Sequence, residues 1–231
     1  MIAANVNTIR ERITRACARA GRIPSDVTLV AVSKTFPWEN IAEAVGAGVT
    51  DIGENYVQEL LAKRDRLAGR PIRWHFIGHL QRNKVRALAG WVALIHAVDS
   101  APLAEEIDRH AGRIGRTQEI LVEVNTTGEH TKFGVQPDQA ADLVRSMAGL
   151  QHIRIAGLMT IGPFLPDPEG SRPMFRSLRL LAGELRGLRQ PNATMDHLSM
   201  GMTGDFEVAV EEGATLVRIG TALFGSRVKR T

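Results

Sequence analysis

Apolar positions follow two alternating patterns along the chain. Short runs rich in valine and isoleucine, typical of buried parallel strands, alternate with longer stretches in which apolar residues return every three or four positions, as in amphipathic helices. The pattern predicts strands over residues 27–33, 49–53, 72–77, 94–98, 119–125, 153–159, 197–200 and 215–219. This alternation indicates a parallel sheet covered by helices.

The strand count and the chain length favour a closed (β/α)8 barrel, the TIM barrel. Eight strands alternating with helices are typical of that fold, and 231 residues is close to its usual length. The alternative is an open doubly wound sheet, but no Gly-x-Gly-x-x-Gly sequence follows the first strand. We predict one α/β domain over residues 1–231, with an extra N-terminal helix over residues 1–22 that packs on the barrel.

Composition narrows the possible partners. The net charge of +4 is spread along the chain rather than clustered, which argues against nucleic-acid binding. Cys17 is the only cysteine, so neither an intrachain disulfide nor a cysteine-based zinc site is expected. No run approaches the roughly 20 apolar residues of a membrane span, and the N-terminal segment lacks the apolar centre of a signal peptide. We therefore expect a cytoplasmic protein without membrane contact.

A lysine stands where the first predicted strand ends. Leu29-Val30-Ala31-Val32-Ser33 runs into Lys34, and Phe36-Pro37 then turns the chain. An isolated lysine in such a place usually reaches solvent. A lysine on a rigid barrel rim is also suited to capture a carbonyl compound as an imine. The other strand ends distinguish these alternatives.

Glycines and hydroxyls follow the last two predicted strands. Ser199 and Gly201 come after the seventh strand, and Gly220 and Thr221 after the eighth. Barrels often bind phosphate at these two loops, where backbone N–H groups and hydroxyls donate to the oxygens. Together with a strand-end lysine, this indicates a phosphorylated carbonyl compound. Pyridoxal 5'-phosphate (PLP) and the sugar phosphate of a lysine-dependent aldolase both fit.

The arginine in the last predicted strand bears on the choice between these two ligands, with an ordinary ion pair as the alternative role for Arg218. Arg218 would point at the ligand ring, and its guanidinium is always charged. PLP enzymes that need an electron sink usually place a carboxylate on the ring nitrogen. An arginine there would keep that nitrogen unprotonated and weaken the sink.

Six motifs in order extend this interpretation to nearly the whole chain. They are Ala31-Val32-Ser33-Lys34-Thr35, Gly53-Glu54-Asn55-Tyr56, Trp74-His75-Phe76-Ile77-Gly78, Gly157-Leu158-Met159-Thr160, Leu198-Ser199-Met200-Gly201-Met202-Thr203 and Val217-Arg218-Ile219-Gly220-Thr221. In this order the chain, from about residue 29 to 227, resembles the pyridoxal phosphate homeostasis proteins, relatives of the N-terminal barrel of alanine racemase. Three departures from the family pattern are His79, the segment Thr131-Lys132-Phe133-Gly134, and Thr203, which replaces a frequent serine.

The resemblance implies a fold-type III barrel that holds PLP as an aldimine, a Schiff base, on Lys34. It implies further cofactor contacts from Asn55, Ser199, Met200, Gly201, Arg218, Gly220 and Thr221. It also implies a cytoplasmic monomer, linked to vitamin B6 and amino-acid homeostasis, whose partners include apo PLP-dependent enzymes. The roles of His79 and Lys84 are left unassigned.

Whether the protein catalyses a reaction is open at this stage. Racemases of this fold need a second base, a tyrosine supplied by an added C-terminal domain for which this chain is expected to have no room. Tyr56 is the only tyrosine. A PLP carrier without efficient turnover is therefore preferred over an amino-acid racemase or a lysine-dependent aldolase. His75, His79 and His197 are candidate acid/base groups or metal ligands, but their strand-to-loop spacing argues against a metal site.

Overall fold

Eight parallel strands close into a barrel, in chain order, in the computed structural model, which describes residues 1–128, 133–163 and 165–226. The strands are β1 Thr28–Val32, β2 Asp51–Glu54, β3 Arg73–Phe76, β4 Leu94–Val98, β5 Gln118–Glu123, β6 Ile153–Met159, β7 Ala193–Ser199 and β8 Leu216–Ile219. β1 pairs with β2 on one side and with β8 on the other, which completes the closure. The predicted (β/α)8 barrel is confirmed.

Helices cover the outside of the barrel, most of them between successive strands. They are α1 Ile2–Arg19, α2 Trp38–Gly46, α3 Val57–Arg66, α4 Ala101–Arg113, α5 Ala140–Ser146, α6 Arg172–Gly187, α7 Phe206–Glu211 and α8 Thr221–Phe224. A 3-10 helix, Arg82–Ala87, stands between β3 and β4. Among the residues that the structure describes, no helix combines the length and apolar character needed to cross a membrane.

Helix α1 precedes the barrel and packs on its side. Its apolar residues return every three or four positions and are buried: Ile2, Val6, Ile9, Ile13, Ala16 and Cys17. This stripe lies against α2, α7 and α8. Just beyond the helix, Arg22 Nη1 donates to the carbonyl oxygens of Val210 and Ala214 at 2.6 and 2.9 Å. Side-chain packing and these hydrogen bonds therefore attach α1 beside the last barrel strand.

The interior of the barrel is mixed in polarity. A small apolar cluster separate from the main core consists of Val30, Leu94, Ala97, Leu121, Ala156, Met159 and Leu216. Buried polar side chains on the strands include Asp51, His75, His96, Ser199 and Arg218. Buried polar groups are costly unless they are hydrogen-bonded. Their presence therefore indicates a connected polar arrangement inside the barrel.

Strand β7 is longer than the sequence pattern predicts. It begins at Ala193 rather than at residue 197. The sequence pattern did not reveal the first half of the strand, because that half carries polar side chains and Met195 has a left-handed φ of 57°. Its neighbour β6 approaches it closely at Gly157, where a Cβ would lie 1.9 Å from the carbonyl oxygen of His197. Glycine is needed there so that the two strands can pair.

Candidate functional site

A cavity of about 270 Å³ opens at the carboxyl ends of β1, β2 and β8. It is lined by Val32, Lys34, Asn55, Ile77, Ile161, Met202, Thr203, Gly204, Arg218, Gly220 and Thr221. Five residues predicted for the site therefore come together here. Larger depressions lie beneath α1 and beside α6, but no strand-end lysine lines either of them. The cavity that contains Lys34 is the one that combines a nucleophile with phosphate-binding loops.

The backbone on both sides of Lys34 is anchored. Thr35 has a left-handed φ of 70°, an uncommon conformation for a residue other than glycine. Its N–H donates to Glu59 Oε1 at 2.6 Å, and Lys63 Nζ donates to the carbonyl oxygen of Ser33 at 2.7 Å. These bonds hold the turn that presents Lys34 to the cavity.

A buried ion cluster lies behind this turn. Lys63 Nζ contacts Glu54 Oε1 at 2.6 Å and Glu59 Oε1 at 2.7 Å, and Ser33 Oγ donates to the same Glu54 oxygen at 2.6 Å. Burial raises the pKa of Glu54, although Lys63 and Ser33 act in the opposite direction. Because Lys63 is itself buried, it serves as a structural cation and not as a second nucleophile of the cavity.

Arg218 is buried in the wall of the cavity. Its Nη1 donates to Ser199 Oγ at 2.6 Å, and its Nη2 donates to the carbonyl oxygen of Thr160 at 2.8 Å. Burial lowers the pKa of Arg218 to about 10, against the opposing charges of Glu123 and Asp205, so the guanidinium stays protonated at neutral pH. An arginine has five N–H donors and no acceptor. The ligand atom that Arg218 meets in the cavity must therefore be an acceptor, and an unprotonated pyridine nitrogen fits.

The structure places three of the predicted cofactor contacts behind the cavity wall. Ser199 is fully buried, and its hydroxyl contacts His96 Nδ1 at 2.9 Å as well as Arg218. Met200 is also fully buried, within the apolar core. Gly201 has φ +88°, and a Cβ there would lie 2.5 Å from the Cβ of Ala209. None of the three lines the cavity; they support it from behind.

The next residues of the same loop line the cavity in their place. Met202, Thr203 and Gly204 face it. Thr203 Oγ1 accepts a hydrogen bond of 3.4 Å from the N–H of Ala222, so the loops after β7 and β8 meet. The predicted pairing of these two loops is therefore present, with the Thr203 hydroxyl at the cavity. Thr203 belongs to the same sequence motif as Ser199 and follows it by four residues, so the motif itself contained the hydroxyl that faces the cavity.

A second cavity of about 520 Å³ adjoins the first. The two share Asn55, Ile77 and Ile161. Asn55 Oδ1 is buried, and it has no hydrogen-bond partner within the described parts of the chain. It is therefore an acceptor available at the junction of the two cavities.

Residues that the sequence leaves unassigned line this second cavity. Lys84 and His79 stand on its wall, and the His79 ring stacks on Phe133 with centroids 4.0 Å apart. Glu123 also lines it, and burial together with the charge of Asp99 raises the pKa of Glu123 to about 7. Thr131 and Lys132, from the segment that departs from the family sequence pattern, lie outside the described residues.

The three histidines considered from the sequence do not converge. His75 lies inside the barrel, His79 on the rim of the second cavity, and His197 contacts Thr215 Oγ1 at 3.3 Å. Within the described ranges, no three side chains of His, Cys, Asp or Glu are grouped to hold a metal ion. His96, which contacts both Ser199 and His75, is not among the histidines that the sequence indicated as candidates.

Comparison with known sequences gives consistent matches over the whole chain. The family model described as alanine racemase, N-terminal domain, matches residues 2–228. A pyridoxal phosphate homeostasis protein of Aquifex aeolicus is 49% identical over 222 residues, which cover 96% of this chain and 96% of that protein. One of Pseudomonas aeruginosa is 41% identical over 230 residues, covering 98% and 96%.

Solved structures agree with this. PipY of Synechococcus elongatus, whose structure has PLP bound, is 36% identical with a TM-score of 0.85, covering 97% of this chain and 100% of that one. An alanine racemase of Clostridium difficile is 16% identical with a TM-score of 0.73, covering 96% of this chain and 58% of that one. The second match is a likeness of fold alone.

Proposed function

The chain belongs to the family of pyridoxal phosphate homeostasis proteins, and on that premise we propose that it is a PLP carrier in intracellular vitamin B6 and amino-acid homeostasis. The observation that carries the proposal is a single cavity shared by a strand-end lysine, a buried arginine and the loops after β7 and β8. These groups match the aldehyde, the ring nitrogen and the phosphate of the cofactor. The PLP-bound structure of the similar protein PipY supports the same assignment.

Each part of the cavity has a distinct task in this proposal. The Lys34 amine would hold the cofactor through its aldehyde carbon, with the carbonyl oxygen leaving as water. Thr203, Gly220 and Thr221 bind the phosphate through a hydroxyl and backbone N–H groups. Gly220 also packs closely against β1, where a Cβ would lie 3.2 Å from the carbonyl oxygen of Val32.

The ring would lie between Arg218 and Asn55. Arg218 would donate to the ring nitrogen, and Asn55 Oδ1 would be an acceptor for a donor on the ligand. Ser199, Met200 and Gly201 act indirectly in this arrangement, because they hold Arg218 and the loop after β7 from behind.

The charge of Arg218 supports a role as a PLP carrier over a role as a PLP-dependent enzyme. Bound PLP supplies an electron sink for amino-acid chemistry, and the sink is strongest when its ring nitrogen is protonated. A guanidinium that is hydrogen-bonded on its inner side to Ser199 and Thr160 offers that nitrogen a donor only. Tyr56, the tyrosine that could act as a base, is 57% exposed on the rim of the second cavity. Racemase and aldolase activity are both less well supported.

The test is cofactor loading of the purified protein. The wild type should take up one equivalent of PLP with visible absorption that borohydride reduction makes permanent, whereas Lys34→Ala should lose that absorption. Lys84→Ala, which removes a lysine from the neighbouring cavity, is the matched control and should behave as wild type. A colourless wild type would contradict the proposal. Racemisation of L-alanine at about 1 per second or faster would show an enzyme instead.

We propose further that apo PLP-dependent enzymes of the cytoplasm receive the cofactor from a monomeric carrier. Transfer of labelled cofactor to an apo enzyme, measured beside a trap for free PLP, tests this. Transfer that the trap abolishes would contradict direct delivery.

A further inference from the structure

A chain of hydrogen-bonded side chains crosses the barrel interior. It links Asp51 on β2, His75 on β3, His96 on β4, Ser199 on β7 and Arg218 on β8. The successive distances are 2.9 Å from Asp51 Oδ1 to His75 Nε2, 2.9 Å from His75 Nδ1 to His96 Nε2, 2.9 Å from His96 Nδ1 to Ser199 Oγ and 2.6 Å from Ser199 Oγ to Arg218 Nη1. All five side chains are buried. The chain therefore joins the cofactor cavity to the opposite end of the barrel.

The chemistry of its two ends sets the direction of every bond between them. Arg218 has only donors, so Ser199 Oγ must accept from it. The single hydroxyl proton of Ser199 is then available for His96 Nδ1, which must be the unprotonated nitrogen. His96 consequently carries its proton on Nε2 and donates it to His75 Nδ1. His75 in turn donates from Nε2 to Asp51, whose carboxylate has only acceptors.

Burial and charge support this arrangement. Burial, together with the positive charge of Arg218, holds the pKa of His96 well below its usual range, so His96 is neutral. Burial would raise the pKa of Asp51, but hydrogen bonds from His75 and Thr50 outweigh it and leave that pKa lowered. A neutral His96 and an ionised Asp51, which contact His75 from its two sides, are what the direction requires.

The reverse direction meets two obstacles. It needs either a protonated Asp51 or a His75 protonated on both nitrogens. It also makes Ser199 Oγ accept from both His96 and Arg218, which leaves the hydroxyl proton of Ser199 without an acceptor among the members of the chain. A buried donor without an acceptor is destabilising.

We infer that Asp51, His75 and His96 are positioning residues that hold Ser199 as the acceptor for Arg218 and so aim the guanidinium at the ring nitrogen of the bound cofactor. The inference rests on the proposed function for the identity of that ligand. The direction of the hydrogen bonds between Arg218 and Asp51 depends only on side chains of the protein. Ser199 thereby has a definite role although it does not line the cavity.

The second contact of Arg218 is independently held. Thr160, whose carbonyl oxygen accepts from Arg218 Nη2, donates its own hydroxyl to the carbonyl oxygen of Val124 at 2.8 Å. At the other end, Asp51 contacts Thr50 Oγ1 at 2.7 Å and borders a cavity of about 450 Å³ beneath α1. Arg218 is thus held on one side through the histidines and on the other by a backbone carbonyl.

Nitrogen-15 NMR of the protein without added cofactor tests the direction. His75 and His96 should each show a single protonated nitrogen at neutral pH, in both cases Nε2, with a scalar or through-space connection between His96 Nε2–H and His75. A proton on His96 Nδ1, or protons on both nitrogens of His75, would overturn the inference.

Cofactor absorption tests the consequence. Asp51→Asn and His96→Gln should each keep one equivalent of bound PLP and shift the visible absorption maximum, because the guanidinium is no longer aimed. Asp196→Asn, which makes the same change on an exposed side chain of β7, is the matched control and should leave the spectrum unchanged. Unchanged spectra in both chain variants would contradict the positioning role. A wild type that takes up no PLP would instead contradict the proposed function and leave the NMR result to stand alone.

Discussion

Ser199 and Thr203 both carry a hydroxyl near the loop after β7, yet their surroundings differ. Ser199 is fully buried between His96 and Arg218, whereas Thr203 is partly exposed and lines the cavity. The single hydroxyl proton of Ser199 is already donated to His96, so Ser199 has no donor left for a phosphate oxygen. We therefore assign phosphate binding to Thr203 and the support of Arg218 to Ser199.

Removing each hydroxyl should separate these two roles. Thr203→Val should weaken PLP binding about tenfold, the effect of one hydrogen bond to a charged group, and should leave the binding of phosphate-free pyridoxal unchanged. Ser199→Ala should change the visible spectrum and keep the preference for the phosphorylated ligand. Titrations of both variants with both ligands provide the measurement. Equal loss of phosphate preference in Ser199→Ala would contradict the assignment.

At the scale of elements, helix α3 supports the turn after β1. Glu59 and Lys63, one turn apart on α3, both reach the backbone beside Lys34. The strained Thr35 conformation depends on this support, because a left-handed backbone persists only where surrounding contacts hold it. Helix α3 is therefore part of the lysine site although it contributes no side chain to the cofactor.

Loss of the buried cation on α3 should be costly. Lys63→Met leaves Glu54, which is fully buried, without its ion-pair partner, and breaking such a pair typically costs about 3 to 5 kcal/mol. We expect the free energy of unfolding, measured by urea titration, to fall by about that amount. Arg66→Met on the exposed face of the same helix is the control and should change it by less than about 0.5 kcal/mol. A small effect at Lys63 would mean that the cluster is not a support.

At the scale of the whole molecule, barrel closure brings charged groups from distant parts of the chain into a shared interior. Glu123 at the end of β5 is 5% exposed. Burial and the charge of Asp99 raise its pKa, and the charge of Arg218 acts in the opposite direction. Its pKa of about 7 means that the folded protein holds a proton there that the unfolded chain releases near its ordinary value of 4.5. Folding stability is therefore linked to pH through this residue.

The sign of that linkage gives a measurable dependence. Below pH 4.5 Glu123 is protonated in both states; between pH 4.5 and 7 only the folded state keeps the proton, so its contribution to stability falls as the pH rises and levels off above 7. The loss should be about 3 kcal/mol. Urea unfolding at pH 4.5 and 7.5 should show this difference between wild type and Glu123→Gln. Glu119→Gln, on the same strand, should follow wild type, and parallel profiles for all three proteins would contradict the prediction.

The sequence by itself determined the barrel and its most direct contacts. Apolar runs mark each strand because a strand between the barrel interior and the helices is buried on both faces. The exception is the first half of β7, residues 193–196, where polar side chains and the left-handed Met195 hide the pattern. Lys34, Arg218, Gly220 and Thr221 could be found because strand ends in a barrel lie on one rim. Treating residues 1–231 as a single domain remains a prediction.

Only the tertiary structure decided where side chains point and which distant ones meet. Position along the chain does not distinguish Ser199 from Thr203, because the loop after β7 turns one hydroxyl inward and the other to the cavity. Nor does it join His96 to Ser199, which lie 103 residues apart and meet only when the barrel closes. Hydrophobic burial is readable from local pattern, whereas hydrogen-bond partners depend on long-range closure. That difference is why the sequence could place Lys34 and Arg218 at the ligand site but could not identify the buried side chains, His96 and Ser199, that hold Arg218.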